Sequence, residues 1–416
     1  MYSGIQNLSE FKEALLAPIR DVKIKVTALD SSLVPIEDVT ASTIEGTVFV
    51  DTSRATRRTC QLRLIDKDGQ YTPKDASSVF YWDKLIKIQY GLKIGADYVY
   101  VPLGVFTIDR SEVIAENGAA VINIDGSDQW DVFSMASFAE DGYGWPSGTL
   151  INTIISEVAQ YLGSFTAYTD KSKTFTAVPS NRITLDPLAG RSSPEKQINV
   201  AYEYKAGDNI GQKLKDWAQD WSIDIYFDVN GNLVTHDMTL PPYTGTSNSA
   251  PDASFSAGDN AIMLGIQKAQ SSHSIYNHIV VTGDNGNGTA AVRGEYLEGT
   301  GTNVNTSTLK RTYNQRSNTG LTVQELGAKI LVIRTTTLKT AQQCLDRAKV
   351  ELAKNLVVEE TIQLPTIVNP LFEGHDVIEI TEENTGLQQQ KYTLDSFDIP
   401  MRSSRQVLNV KKMRAL

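Results

Sequence analysis

The feature that most constrains this 416-residue chain is a phrase written twice, nearly 290 residues apart. Residues 106–124 read "FTIDRSEVIAENGAAVINI" and residues 392–410 read "YTLDSFDIPMRSSRQVLNV". Each copy has an aromatic, Thr, a branched aliphatic and Asp. Fourteen residues after the Asp, each has an Asn flanked by aliphatics. The matched positions are Phe106 with Tyr392, Asp109 with Asp395, and Asn123 with Asn409. A second echo lies upstream, "LIKI" at 85–88 and "VIEI" at 377–380. The interval from echo to aromatic is six residues longer in the first copy, which predicts a longer hairpin loop there. The separation is far too long for a solenoid repeat. The chain therefore carries the same β-unit near both ends.

Alternation supports this reading. "VKIKVTAL" at 22–29 places Val22, Ile24, Val26 and Ala28 on one face, and "TCQLRLID" does the same with Cys60, Leu62 and Leu64. Short strands punctuated by turns such as "DKDGQYTP" predict a barrel or sandwich for the first ~130 residues. After residue 127 the period changes. Leu150, Ile151, Ile154, Ile155, Val158 and Leu162 form a helical stripe that Gly163 stops and Ser147 or Thr149 caps. A second helix over 208–221 buries Ile210, Leu214, Trp217, Ala218 and Trp221, with Asp208 near its cap. It runs into two strands around an Asn-Gly turn at 228–232. Residues 239–260 and 296–320 read as loops, and a third helix over 337–355 carries Ala341, Leu345, Ala348 and Leu352. The expected organisation is a first β-barrel domain over 1–127 and a helix-containing α+β insert over 128–222. Hairpins and long loops over 223–336 contribute to the second half. A helix and the second β-unit, the repeat of 85–124, occupy 337–416.

Little in the chain points to chemistry. Cys60 and Cys344 have no CxxC neighbour and read as core residues rather than a disulfide or zinc framework. His236, His273, His278 and His375 lack the spacing of a zinc site. Asp284, Asn285 and Asn287 in "GDNGNG" make half a calcium loop, better read as a hairpin tip. There is no nucleophile elbow, P-loop or dinucleotide fingerprint, so no cofactor or metal is expected. "FAEDGYGWPSG" at 138–148 offers Glu140, Asp141, Tyr143 and Trp145, a set suited to sugar hydrolysis, but it reads better as a loop entering a helix. Asp109 and Asp395 recur in a strand context, which favours a duplicated structural hydrogen bond over catalysis. Arg54, Arg57 and Arg58 crowd one segment, and in a chain with a formal net charge of -10 they are expected to bridge to a neighbouring subunit rather than to DNA. No run of eighteen apolar residues predicts a membrane span, and the first twenty residues lack the pattern of a signal peptide.

Three stretches carry a resemblance. "TRRTCQLRLIDKDGQYTP" followed by "VPLGVFTID" resembles the N-terminal domain of tail proteins of long-tailed phages. "LKDWAQDWSIDIYFDVNGNLV" looks like the helix and hairpin of phage baseplate hub and late-control proteins. "LFEGHDVIEIT" and "YTLDSF" are similar to their final β-barrel. The resemblance covers the two ends and part of the middle, and extends to type VI spike-hub proteins. It implies a β-rich α+β fold: two similar antiparallel, tube-type β-barrel units with helix-containing domains between them. It also implies a non-enzymatic homotrimer in the tail tip or baseplate of a virion, made in the host cytoplasm. Such a hub adapts a six-fold tube to a three-fold tip. The implied partners are a tail-tube or distal tail protein, the tape-measure protein, and a spike, fibre or tip protein, with DNA only in passage. The competing readings are a tail-associated peptidoglycan hydrolase built on Glu140, Asp141 and Trp145, and a carbohydrate-binding attachment protein.

Overall fold

The computed structural model describes the chain except residues 6, 68, 117–118, 139–140, 144, 162–177, 199–202, 241, 244–249, 259–261, 272–275, 285–290, 298–328, 356–358 and 413–416. Glu140, Leu162, Gly163, His273, Asn285 and Asn287 thus lie outside the described residues, with most of the 296–320 segment.

The first part of the chain is almost all strand. It holds α1 (Leu8–Leu15), β1 (Val22–Leu29), β2 (Pro35–Asp38), β3 (Thr43–Asp51), β4 (Arg58–Asp66), β5 (Leu85–Ile94), β6 (Asp97–Thr107), β7 (Arg110–Glu116) and β8 (Ala119–Ser127). The middle holds α2 (Trp130–Ser134), β9 (Gly142–Tyr143), α3 (Ile151–Tyr161), β10 (Ile183–Thr184), β11 (Glu203–Tyr204), α4 (Ile210–Asp220), β12 (Ile223–Phe227) and β13 (Leu233–Asp237). The last part holds β14 (Ala253–Ser256), β15 (Gln267–Ser271), β16 (His278–Thr282), β17 (Arg293–Leu297) and β18 (Ile330–Arg334). It continues with α5 (Ala341–Asn355), β19 (Glu359–Ile367), β20 (Val377–Glu382), β21 (Leu387–Pro400) and β22 (Arg405–Lys411).

The fold is β-rich α+β, and its organising element is one ten-stranded sheet. Along it the order is β15-β19-β22-β21-β3-β4-β8-β7, with β20 beside β21 and β14 beside β20. Strands from both ends of the chain therefore share a sheet, joined where β3 pairs antiparallel with β21. They also share a core: Val48, Leu62, Ile86, Phe106 and Ile124 pack in the same apolar cluster as Ile362, Ile378, Tyr392, Leu394 and Leu408. β4 reaches this core through strict alternation, with Cys60, Leu62 and Leu64 inward and Gln61 and Arg63 outward.

The helices between the two β-units pack a second core. Trp130, Phe133, Ile151, Ile154, Ile155, Leu214 and Trp217 meet Ile223, Ile225, Phe227 and Leu233. The β12–β13 hairpin thus packs with the residues before it, so the packing boundary lies past residue 237 rather than at 222. Its turn fits the sequence: Asp228 accepts from the backbone N–H of Asn230 and Asn232, and Gly231 takes φ 77°. The start of α3 differs from expectation, and the residue that caps α4 is the neighbour of Asp208. Leu150 precedes α3 and is exposed, because its backbone bridges to Gln197 instead of entering the helix. The cap of α4 is Asn209, which accepts from Gln212 N–H at 2.9 Å; Asp208 instead accepts from Lys205 N–H one turn earlier.

A third core holds α5 against β16 and β17, through Ile279, Val281, Cys344, Leu345, Ala348 and Leu352. The approach is close enough that a Cβ on Gly294 would lie 2.3 Å from the Leu345 backbone nitrogen.

Candidate assembly interface

The repeat is a matter of register as well as letters. In the first copy Leu85 stands opposite Thr107 and Ile86 opposite Phe106. In the second, Val377 stands opposite Thr393 and Ile378 opposite Tyr392. Phe106 and Tyr392 are both fully buried at the same place in their hairpins. The outer strands match too, although their side chains do not. Arg63 of β4 pairs with Asn123 of β8, and Gln363 of β19 pairs with Asn409 of β22. One strand further out, Glu45 of β3 pairs with Arg63 just as Gln267 of β15 pairs with Gln363. Each unit is therefore a set of five strand positions: β3, β4, β5, β6 with β7, and β8; then β15, β19, β20, β21 and β22.

Two differences between the copies are instructive. The six extra residues of the first copy do not lengthen its loop, which is only Gly95–Ala96. They lengthen the strand arms, because Leu92 and Val101 on that extension pack against Phe11 and Leu15 of α1. The other difference lies across the second hairpin, where Asn123 faces Glu112 but Asn409 faces Ser396. Relative to the repeated Asp this is an offset of two residues, so each side chain keeps its face of the sheet.

Asp109 and Asp395 both sit where the strand is interrupted. Asp109 lies in the break between β6 and β7, accepting from Thr107 Oγ1 at 3.0 Å and from Ser127 Oγ. Asp395 lies at a register shift in β21 and accepts from Thr52 Oγ1 at 3.0 Å, while its carbonyl accepts from Thr52 N–H at 2.9 Å. Asp395 thereby ties the second unit to the end of β3 in the first.

The three arginines do not act alike. Arg57 is 2% exposed and its Nη2 donates to Asp224 Oδ2 at 2.6 Å, while its guanidinium lies 3.7 Å from the centre of the Tyr226 ring. Arg58 is 1% exposed, and pairs with Glu373 and the Leu103 carbonyl. Neither is an inter-subunit bridge. A buried guanidinium requires a local anion, and this chain supplies both. Arg54 alone is exposed, paired with Asp51 at 2.9 Å.

Asp224 is the centre of this joint between the helical core and the shared sheet. It also accepts from the Tyr243 hydroxyl at 3.0 Å and lies 3.5 Å from His375 Nε2. Burial opposes its charge, but Arg57 and His375 outweigh burial and hold its carboxyl well below the usual range. For His375 burial wins over the attraction of Asp224, so its pKa is lowered. Asp224, His375, Asp395 and Arg54 line a cleft of about 450 Å³. Behind it, burial pushes Asp128 up to about 6, although it accepts from Arg58 N–H at 2.8 Å and Trp130 N–H at 3.0 Å.

A pH prediction follows from His375. The unfolded chain takes up a proton below the ordinary histidine value of 6.5, whereas the folded chain does so only at lower pH. The contribution is complete above that value and is lost as pH falls through it. The wild-type denaturation midpoint should fall relative to His375→Gln between about pH 7 and 5. Taking the difference cancels Asp128, which is present in both proteins. A difference that does not change with pH would refute this assignment.

The remaining candidates scatter. Trp145 is buried, donates to Glu157 Oε2 at 2.6 Å and meets Trp217 edge-on at 5.8 Å, so it offers no face for stacking a sugar. Asp141 accepts from Ala206 N–H at 2.7 Å. His278 is buried beside Glu295 at 3.1 Å, and His236 contacts the Tyr226 hydroxyl. Among the described residues no group of three or more His, Cys, Asp or Glu could hold a metal ion, and no helix is long and apolar enough to cross a membrane. Cys60 and Cys344 are free and buried.

No protein-family model matches the chain, and no curated protein matches it. Solved structures do. The chain is similar to the tail protein from Neisseria meningitidis MC58, at 8% identity and TM-score 0.56, over 94% of this chain and 97% of that one. It is similar to the 43 kDa tail protein of prophage MuSo2 from Shewanella oneidensis, at 10% identity and TM-score 0.55, over 94% and 98%. It is also similar to a chain of the Francisella PdpA–VgrG complex, at 10% identity and TM-score 0.51, over 95% of this chain and 53% of that one. Across nearly its whole length, the chain has the fold of phage tail proteins.

Proposed function

We propose that this protein is a structural component of a phage tail, or of a phage-like particle: a tail-tip or baseplate hub that acts without catalysis. The observation that carries the reading is the side-by-side fusion of two β-units with matching strand pairings, joined by the β3–β21 pair and one shared core, with β5 and β6 in an adjoining four-stranded sheet. A chain built this way presents two similar surfaces at successive positions, and matching a ring of quasi-identical sites requires such a surface. Three chains would provide six units beneath a six-fold tail tube while keeping three-fold symmetry towards a tip. The partners in this reading are a tube or distal tail protein on one side and a spike, fibre or tip protein on the other. The tape-measure protein and DNA would cross the opening, and the net charge of -10 suits a surface that DNA must pass without adhering.

Native mass measurement of the purified protein tests this. The chain is 45.7 kDa, so a trimer has three times that mass, about 137 kDa. A particle of that mass, imaged as a ring of six similar lobes, is the expected result. A strict monomer at high concentration would overturn the ring.

A further inference from the structure

The main run of the ten-stranded sheet ends at β15 and β7, and a side branch off β21 ends at β14. The internal repeat says what each end lacks. In the first unit, β3 is paired on both sides, by β4 and by the second half of β21. Its counterpart β15 is paired only by β19 among the described residues. Conversely, the second half of β21 is paired by β22 and β3. Its counterpart β7 is paired only by β8. The edge missing from β15 is therefore of the kind β7 offers, and the edge missing from β7 is of the kind β15 offers. Within one chain the two edges are not paired with each other.

We infer that β15 of one protomer pairs antiparallel with β7 of the next, reproducing between chains the β3–β21 junction found within each chain. The inference rests on the ring reading above and supplies its contact. The occupant is a second copy of this chain, since the template for the contact is this chain's own β3–β21 pair.

The template also sets the register. Within the chain, Thr47 stands opposite Pro400, Val48 opposite Ile399 and Phe49 opposite Asp398. Superposing the paired residues Arg63 and Asn123 on Gln363 and Asn409, which sets Glu112 at the place of Ser396, converts these pairs into Ala269 opposite Glu116, Gln270 opposite Ala115, and Ser271 opposite Ile114. Met401 N–H donates to the Gly46 carbonyl at 2.9 Å at the end of the junction, which fixes its hydrogen-bonding phase.

The composition of β7 agrees. Val113 is 41% exposed and Ile114 37% exposed, next to each other on an unpaired edge. Natural edge strands are usually blunted by charge, Pro or a covering element, and an unpaired apolar edge recruits another strand. Their counterparts in the template are Phe397, which is buried, and Asp398, which is half-buried. Because β15 and β7 are different surfaces, the contact is heterologous and repeats head to tail, which generates a ring when the rotation closes.

The hydrogen-bonding phase chooses the test. Met401 with Gly46 and Asp395 with Thr52 are hydrogen-bonded at the two ends of the template, so Pro400 with Thr47 is a non-hydrogen-bonded pair. Such pairs bring Cα atoms closest and suit a disulfide. The double variant Ile114→Cys with Ser271→Cys, the counterpart of Asp398 with Phe49 and likewise a non-hydrogen-bonded pair, should form disulfides between chains on mild oxidation. Denaturing gels without reductant should then show covalent dimers and trimers that collapse to monomer with reductant. The pair Ile114→Cys with Ala269→Cys, out of register by two residues, should not cross-link. Far-ultraviolet circular dichroism confirms that both variants fold.

The outcomes separate the two ideas. A trimer by native mass with no covalent species in the first variant overturns the edge pairing and leaves the ring standing. Equal cross-linking of the two variants overturns the register. Absence of any oligomer, by mass and by cross-linking, overturns both.

Discussion

Replacing Arg57 with Met should lower the stability of the protein by about 3–5 kcal/mol, read as a shift of the urea midpoint. The reason is what remains behind. Asp224 would stay buried with its main cationic partner gone, leaving the Tyr243 hydroxyl, His375 and the charge of Lys215 near it. An uncompensated buried carboxylate is costlier than the intact pair is worth. Removing the charge on both sides, with Arg57→Met and Asp224→Asn, should therefore recover much of the loss, and the non-additivity is the signature of the pair. An exposed pair behaves otherwise. Arg54→Ala breaks only the surface contact to Asp51, and its cost should stay within about 1 kcal/mol. Equal losses from Arg54 and Arg57 would refute the division of the three arginines into one surface residue and two internal ties.

Phe106→Ala and Tyr392→Ala should each cost about 3–5 kcal/mol, the usual range for emptying a buried aromatic site. The two side chains occupy equivalent places in the repeat and belong to one apolar cluster. Either substitution should therefore move the same unfolding transition of the shared core, although the mutated sites are far apart in sequence. Hydrogen exchange resolved by peptide can check this. Destabilising Phe106 should raise exchange in β21 and β22 as well as in β5 and β6. Loss of protection confined to the mutated copy would mean that the two β-units are stable separately and that the β3–β21 junction contributes little. Tyr392 has one further consequence, because its hydroxyl donates to Glu360, which also pairs with Lys268 of β15 at 3.3 Å. Tyr392→Phe should thus be milder than Tyr392→Ala while still loosening the anchorage of β15.

Much of this architecture was legible in the sequence, for identifiable reasons. The alternation of Cys60, Leu62 and Leu64 defines β4 because side chains on a strand change face at every residue. The hairpin at 228–232 was legible because Asp228 and Gly231 supply the local hydrogen bonds and the left-handed backbone that the turn needs. The helical stripe of Ile151, Ile154, Ile155 and Val158 repeats with the period of a helix, whereas Leu150 breaks it through a backbone bridge that no periodicity encodes. The repeated aromatic-Thr-aliphatic-Asp phrase located both hairpins and, with the upstream echo, their register.

The sequence by itself determined the strands, the helices and the existence of two like units, because these follow from local periodicity, turn chemistry and similarity of short phrases. Only the tertiary structure decided how the units are joined. The pairing of β3 with β21 brings together residues more than 340 positions apart, and nothing in either strand names the other. The equivalence of β4 with β19 and of β3 with β15 is a likeness of hydrogen-bonding partners, carried by backbones whose side chains no longer match. Arg57 and Arg58 are adjacent in sequence with Arg54 close by, yet their anions lie 167 and 315 residues away. A charge reads the same in sequence whether it faces solvent, a neighbour or a buried partner. Which of these it meets depends on where chain folding places the opposite charge, a long-range property of packing.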